Sequence, residues 1–298
     1  KVVARLKELA PNEFAYYNAF PCYALATGDG ECAEKSQLGA DSYASHIAEY
    51  CKWLPLDYIC FDCYCYAWTI TPAVLIENCR VVADACAGTG KSMWTVLQAN
   101  VYRDKAKGVR CLMNVDRLRM QANIALAFGA ESINWACWGK GWFEGDVLDE
   151  NGNMTPTYEM LKKVNGELHR LGADYMRYRR VATDLVGNFR HEDRIRIGQP
   201  VVECASFAVF QDVATLDGTP LLIGKMLPRD GSGEYALYVV SCADMNGENI
   251  CEHEIRFKIR GMKVRAVSGE GEVRMTVKED GFCSCRLKSC CGILLTAN

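Results

Sequence analysis

Asp62 and Tyr64 are the first residues whose types suggest chemistry. They lie near the end of an aromatic and apolar stretch, 58–66, with the sequence YICFDCYCY, which favours a β-strand. A carboxylate at the end of a strand could act as a general acid or base, or could bind a sugar hydroxyl group. Alternatively, backbone amides or an arginine could bind the acid, and Tyr64 could be packed in the core.

Three tryptophans form a second candidate feature. Trp135, Trp138 and Trp142 lie within eight residues, in a glycine-containing segment that follows the apolar start of 132–138. We expect a buried strand that opens into a ligand-facing loop, with Trp135 and Trp138 stacked on the faces of a sugar. Burial of the strand end under the next element is the alternative, because tryptophan is often buried for its area alone.

Two amide side chains occupy similar positions. Asn18 and Gln98 lie near the ends of two further predicted strands, 14–20 and 92–100. An amide group both donates and accepts hydrogen bonds, so each residue could orient sugar hydroxyls or could only cap a strand end. Glu144 is a weaker candidate that we expect to be solvated. The four histidines are scattered along the chain and receive no role.

The elements that must position these residues alternate regularly. Helical periodicity follows each predicted strand, near 41–54, 71–87, 114–128 and 155–172. Alternating strands and helices predict an α/β architecture with parallel strands of the (β/α)8-barrel type, in which functional residues gather at the carboxyl ends of the strands. We assign residues 1–180 to this portion.

The pattern changes in the second part of the chain. Short alternating runs separated by Gly, Asp and Asn predict a small antiparallel β-sandwich over 185–298.

Composition excludes several classes of function. The chain has 298 residues and a net charge of −3, with no basic surplus to suggest nucleic acid and no apolar run of membrane-spanning length. Its 17 cysteines cannot all pair, because the number is odd. We interpret most of them as small buried side chains in a reducing compartment, the cytoplasm, and we predict no structural metal and no cofactor.

Residues 85–92, ACAGTGKS, resemble a relaxed phosphate-binding loop. Such a loop needs a strand before it and a helix after it, whereas the predicted order here is helix and then strand. We therefore interpret its glycines as a helix-to-strand turn.

Five segments in order carry a resemblance to a known family: NEFAYYNAFPCYA, YICFDCYCY, SMWTVLQAN, ALAFGAESINWACW and GNMTPTYEMLKKVNGELHRLG. Together they resemble the second half of bacterial clan A glycoside hydrolases, in a group of β-galactosidase-like (family 42-like) enzymes whose barrel precedes a small β-sandwich. The resemblance implies that the four strands are the fifth to eighth of a barrel. It also implies that the acid/base glutamate belongs to a strand outside this sequence.

The family's nucleophile position is occupied here by Gln98, which cannot act as the second carboxylate of a glycosidase. Asp62 is then the leading catalytic candidate. We expect a glycoside hydrolase that acts on a carbohydrate and is incomplete at its N-terminus; the alternative is a non-catalytic carbohydrate-binding protein. Open strand edges invite pairing, so we expect a homo-oligomer or a missing N-terminal half to complete the barrel.

Overall fold

The computed structural model describes residues 2–13, 15–24, 37–66, 71–104, 109–139, 144–259, 261–278 and 281–297. The helices in these ranges are α1 (Val2–Leu9), α2 (Tyr43–Trp53), α3 (Pro72–Thr89), α4 (Val115–Ala127), α5 (Pro156–Tyr175) and α6 (His191–Ile197). The strands are β1 (Tyr58–Cys63), β2 (Ser92–Gln98), β3 (Tyr102–Asp104), β4 (Val109–Cys111), β5 (Ala130–Ala136), β6 (Tyr178–Val186), β7 (Val201–Val202), β8 (Ala205–Phe207), β9 (Phe210–Thr215), β10 (Leu221–Pro228), β11 (Tyr235–Ser241), β12 (Glu252–Ile259), β13 (Val264–Ser268), β14 (Gly271–Glu272), β15 (Thr276–Val277), β16 (Phe282–Lys288) and β17 (Gly292–Ala297).

The first part of the chain forms a parallel sheet of three strands in the order β1-β2-β5. In its register, Asp62 lies beside Val96, and Val96 lies beside Asn134. Parallel neighbours point to the same face, so these three side chains share one side of the sheet. Of the stretch predicted as a strand at 14–20, the described residues 15–20 contribute one parallel bridge, from Ala19 to Phe61.

Helices cover the other face of this sheet. Thr71 precedes α3 in extended conformation and Pro72 begins it, while Gly90 ends it with a positive φ of 71°. Segment 85–92 therefore runs from a helix into β2. The periodicity near 155–172 predicts a helix that ends at Gly172, and this end is wrong. Helix α5 continues to Tyr175, whose buried ring packs in the core and whose hydroxyl donates to the Leu126 carbonyl at 2.9 Å.

Strands β3 and β4 pair with each other as a two-stranded antiparallel sheet, and the remaining strands form two larger sheets. One has seven strands in the order β14-β13-β17-β11-β10-β6-β7, and the other has five in the order β15-β16-β12-β9-β8. All their pairs are antiparallel except β6 with β7. The described residues thus form a mixed α/β structure with one parallel sheet, two large and mainly antiparallel sheets and the small β3-β4 sheet.

The seven-stranded sheet is buried on both faces. Along β11, Tyr238 and Val240 belong to the core shared with the helices, whereas Leu237 and Val239 belong to the core shared with the five-stranded sheet. Burial on both faces explains why the sequence of this strand, YALYVVS, is apolar almost throughout instead of alternating. The layers are therefore parallel sheet, helices, seven-stranded sheet and five-stranded sheet.

Helix α4 and strand β10 approach each other closely. A Cβ atom on Gly224 would lie 2.5 Å from the backbone oxygen of Ala127, so a larger residue does not fit. Thr183 on β6 donates its hydroxyl to the same oxygen at 2.9 Å. These contacts pack the end of α4 directly against the seven-stranded sheet.

The sixteen cysteines in the described ranges are free thiols, and Cys204 and Cys251 are the exposed ones. Within these ranges, no group of three or more His, Cys, Asp or Glu side chains is arranged to hold a metal ion. No described helix combines the length and the apolar composition needed to cross a bilayer.

Candidate functional site at the carboxyl end of the parallel sheet

Asp62 lies near the carboxyl end of β1, on the sheet face opposite the helices. Its carboxylate oxygen Oδ1 accepts a hydrogen bond from Asn18 Nδ2 at 2.6 Å. The segment that carries Asn18 is held to β1 by the bridge at Ala19, where the Ala19 amide donates to the Cys60 carbonyl at 2.7 Å. Two of the predicted site residues are therefore in direct contact.

Burial dominates the electrostatics of Asp62. Loss of solvent raises the pKa of this carboxyl group, while hydrogen bonds from Asn18 and from its own backbone amide partly oppose the rise. The side chain still keeps part of its surface accessible. A half-buried carboxyl group with a raised pKa stays protonated to a higher pH than an ordinary aspartate, which suits a proton donor.

Tyr64 follows β1 and lies within electrostatic range of both Asp62 and Cys137. Burial raises the pKa of its hydroxyl, and the neighbouring Asp62 and Cys137 raise it further. The Tyr64 backbone amide donates to the Tyr23 hydroxyl at 3.1 Å. Tyr64 therefore connects the end of β1 with the end of β5, where Cys137 follows the strand.

Asp146 lies beside Cys137. Burial raises the pKa of the Cys137 thiol, and the charge of Asp146 raises it further, while a hydrogen bond from Asn100 lowers it. The Asn100 amide nitrogen is 3.7 Å from the Cys137 sulfur. The carboxyl end of the sheet thus carries a second half-buried carboxylate, Asp146, which lies in a loop and which no strand-end pattern in the sequence indicates.

Trp138 is the predicted aromatic residue that remains accessible at this edge, with half of its surface exposed. Its backbone oxygen accepts the Leu148 amide at 2.8 Å, and the Cys137 oxygen accepts the Val147 amide at 3.3 Å. These contacts fix the loop that carries Asp146 alongside 137–138. Trp142 lies outside the described residues.

Gln98 is fully buried and its amide group is engaged by the chain itself. Its Oε1 accepts the Tyr66 backbone amide at 2.9 Å, and its Nε2 donates to the Asn100 carbonyl at 3.2 Å. The backbone of Gln98 exchanges two 2.9 Å hydrogen bonds with the amide of Gln121 on α4. Gln98 supports the strand end from inside the protein.

Trp135 also points away from Asp62. It is 6% exposed, and its indole nitrogen donates to Asn165 Oδ1 on α5 at 2.9 Å. Its neighbour in the sheet is Leu97, on the helix side. The structure therefore brings together Asn18, Asp62 and Tyr64 at the accessible edge, places Trp138 after the end of β5 with β2 between β5 and β1, and directs Trp135 and Gln98 into the interior.

A cleft with a volume of about 670 Å³ lies elsewhere, between α4, α5 and the antiparallel sheets. Its charged groups neutralise one another: Arg119 makes a two-pronged contact with Glu167 at 2.8 and 2.5 Å. Gly269 packs against Glu167 at the same place. We interpret this cleft as a polar contact region between the helices and the antiparallel sheets, and not as the reactive site.

Comparisons with known proteins define no family for this chain. No family model matches it, and no curated protein matches it. Solved structures similar to it include a cycloisomaltooligosaccharide glucanotransferase from Paenibacillus sp. complexed with cycloisomaltoheptaose, at 8% identity and a TM-score of 0.45. They also include a catalytic mutant of a GH42 β-galactosidase from G. stearothermophilus, at 11% identity and a TM-score of 0.46.

The chain spans only part of both proteins. The first match covers 84% of this chain and 53% of the glucanotransferase, and the second covers 99% of this chain and 65% of the β-galactosidase. A TM-score below 0.5 does not establish a common fold.

Proposed function

We propose that the protein acts on a carbohydrate as a glycoside hydrolase, with Asp62 as the proton-transferring carboxyl group. The observation that carries the proposal is the half-buried Asp62 with a raised pKa, held by Asn18 at the carboxyl end of a parallel strand. Cleavage of a glycosidic bond needs a carboxylic acid that is still protonated when it meets the leaving oxygen. The raised pKa of Asp62 favours that protonated form.

Asp146 is our candidate for the second carboxylate. Asp146 lies beside Cys137, the residue that follows β5, and β5 is separated from β1 by β2 alone. Carboxyl groups about 6.5–9.5 Å apart leave room for an attacking water and give inversion at the anomeric carbon. In this scheme Asp146 activates the water, Tyr64 lines the space between the two acids, and Trp138 stacks on a sugar ring.

We also propose that the parallel sheet is a segment of a (β/α)8-type barrel and that the two antiparallel sheets are the sandwich that follows it. Parallel sheets are normally covered on both faces. Here the face opposite the helices carries Trp94, Val96 and Asn134, which retain solvent exposure. A second copy of the chain covering this face would close the barrel, and sedimentation velocity over a range of concentrations tests for such a dimer.

The second candidate function is non-catalytic carbohydrate binding. Gln98 favours it, because the position that the family resemblance assigns to the nucleophile holds a buried amide and supplies no carboxylate, while Asp62 and Asn18 remain in hydrogen-bonding contact. A protein of this kind would bind sugars through Asn18, Asp62 and Trp138 without turnover.

One experiment separates the two functions. A panel of aryl glycosides is assayed for hydrolysis, and calorimetry measures binding of the corresponding free sugars, for wild type, Asp62→Asn and the exposed control Glu203→Gln. A hydrolase loses ~10²–10⁴-fold in turnover with Asp62→Asn and nothing with the control. Binding without hydrolysis in the wild type would support the binding protein and would contradict the proposed hydrolase.

A further inference from the structure

A cluster of polar side chains lies at one end of the antiparallel sheets, outside the site described above. Cys251 directly precedes β12, and His253 is the second residue of that strand. Asp217 and Thr219 come from the turn between β9 and β10, and Ser289 comes from the turn between β16 and β17. Three separate turns therefore meet around one exposed thiol.

The Cys251 thiol contacts the His253 imidazole, and the imidazole in turn contacts the Asp217 carboxylate. The Cys251 sulfur is 3.0 Å from His253 Nε2, and His253 Nδ1 is 2.9 Å from Asp217 Oδ2. The two contacts use opposite nitrogens of the ring. A nucleophile, a base and a group that orients the base are arranged in this order in the triads of hydrolytic enzymes.

Neighbouring groups hold the cluster in place. The His253 side chain is only 13% exposed, and the Thr219 hydroxyl lies 2.9 Å from Nδ1 on the same side as Asp217. Burial acts to raise the pKa of Asp217, but hydrogen bonds from Thr219 and His253 outweigh it and lower the pKa below its ordinary value. The Cys251 backbone amide donates to Ser289 Oγ at 3.2 Å, and the Ser289 amide returns a bond to the Cys251 carbonyl at 2.9 Å.

The arrangement does not suit a metal ion. Cys251 and Asp217 contact opposite edges of the imidazole, so the three groups do not converge on one point. This agrees with the finding that no metal-binding group of three such side chains occurs in the described ranges. Nearby charges are engaged elsewhere: Arg286 pairs with Glu252 at 3.0 Å.

We propose that Cys251 is a reactive thiol that forms a mixed disulfide with small disulfides, with His253 as its base. His253 Nε2 accepts the thiol proton, and the thiolate attacks one sulfur of the incoming disulfide. A bond forms between the Cys251 sulfur and that sulfur as the original S–S bond breaks. The departing thiolate takes the proton from the imidazolium, so the disulfide is the only oxidant. This modification site is independent of the proposed carbohydrate chemistry.

Cys204 provides an internal control, because it is also an exposed free thiol but contacts no imidazole among the described residues. The folded protein is incubated with oxidised glutathione at pH 7, and peptide mass spectrometry follows the modification of each cysteine with time. We expect Cys251 to react at least about tenfold faster than Cys204. Equal rates would overturn the proposal.

Variants of the base test the mechanism. His253→Gln is expected to bring the rate at Cys251 down to that at Cys204 without changing the rate at Cys204, which also reports that the fold is intact. Asp217→Ala is expected to slow Cys251 several-fold, while Asp217→Asn, whose amide oxygen can still accept from Nδ1–H, keeps part of the rate. An undiminished rate at Cys251 in His253→Gln would disprove the role of the imidazole.

Discussion

Asp62 and Asp217 are both aspartates near the end of a β-strand, yet their pKa values are displaced in opposite directions. Asp62 is mostly buried and has one side-chain donor, Asn18, so the loss of water prevails and its pKa rises. The side chain of Asp217 is 57% exposed and accepts from both Thr219 and His253, so donors prevail and its pKa falls. The balance between burial and donors separates a carboxyl group that can give up a proton from a carboxylate that orients a histidine.

The largest expected effect is on the pH dependence of hydrolysis. If Asp62 donates the proton, kcat/KM falls about tenfold for each pH unit above its raised pKa, since only the protonated form is active. The profile is measured with the best aryl glycoside of the panel, beside Asp62→Asn, whose residual rate lacks this alkaline limb. A wild-type rate that climbs through this range instead would assign Asp62 to the role of base.

Removal of Asn18, the side-chain donor to Asp62, tests the same balance between burial and hydrogen bonding. Asn18→Ala takes away a hydrogen bond that lowers the pKa of Asp62, so the midpoint of the alkaline limb moves to higher pH. The maximal rate falls on the order of tenfold, because the carboxyl group is no longer oriented. Asn134→Ala, an exposed amide on the same sheet, is the matched control and leaves both values unchanged.

A smaller effect of defined sign is expected at Asp217. Its folded pKa lies below the unfolded value of about 3.9, so it stabilises the fold above that pH, and the stabilisation is lost as the pH falls towards the folded pKa. Because the side chain is half exposed, Asp217→Asn costs under about 1 kcal/mol at pH 7. Urea unfolding at pH 7 and pH 3 checks this, and the deficit should shrink at the lower pH.

Asp62→Asn should show the reverse dependence and the smallest effect. The folded pKa of Asp62 is raised, so ionisation opposes folding, and stability is lost as the pH rises from the unfolded pKa through the folded one. At pH 7 the variant is expected to gain about 0.5 kcal/mol, a common trade of activity for stability. The gain in stability disappears at pH 3, where the Asp62 side chain is neutral in the folded and in the unfolded wild-type protein. A loss of stability in Asp62→Asn at pH 7 would contradict this account.

Local signals in the sequence account for much of the parallel layer. The run 58–66 is apolar and aromatic, Pro72 can begin a helix without losing a hydrogen bond, and Gly90 can adopt the left-handed conformation that ends one. The rule that the carboxyl ends of parallel strands meet at one edge predicted that Asn18 and Asp62 would lie at the same edge, but it did not predict their hydrogen bond. These features depend on neighbours in the sequence or on a general rule of architecture.

Features set by distant contacts could not be predicted in the same way. Gly172 lies within α5 because Tyr175 gains a buried position against α4, which outweighs the preference of glycine for helix ends. Gln98 faces inward because the Tyr66 amide needs an acceptor there. His253 and Asp217 are 36 residues apart and meet through the pairing of β9 with β12, a register that the sequence does not display.

The burial of the seven-stranded sheet on both faces determines how the protein responds to cleavage and to heating. Strand β6 lies between β10 and β7, so a protease cut or an engineered truncation near residue 180 would divide an interior strand and expose apolar surface on two sides. Neither piece would be an autonomous module, and heating should melt the helical and antiparallel layers in one cooperative step.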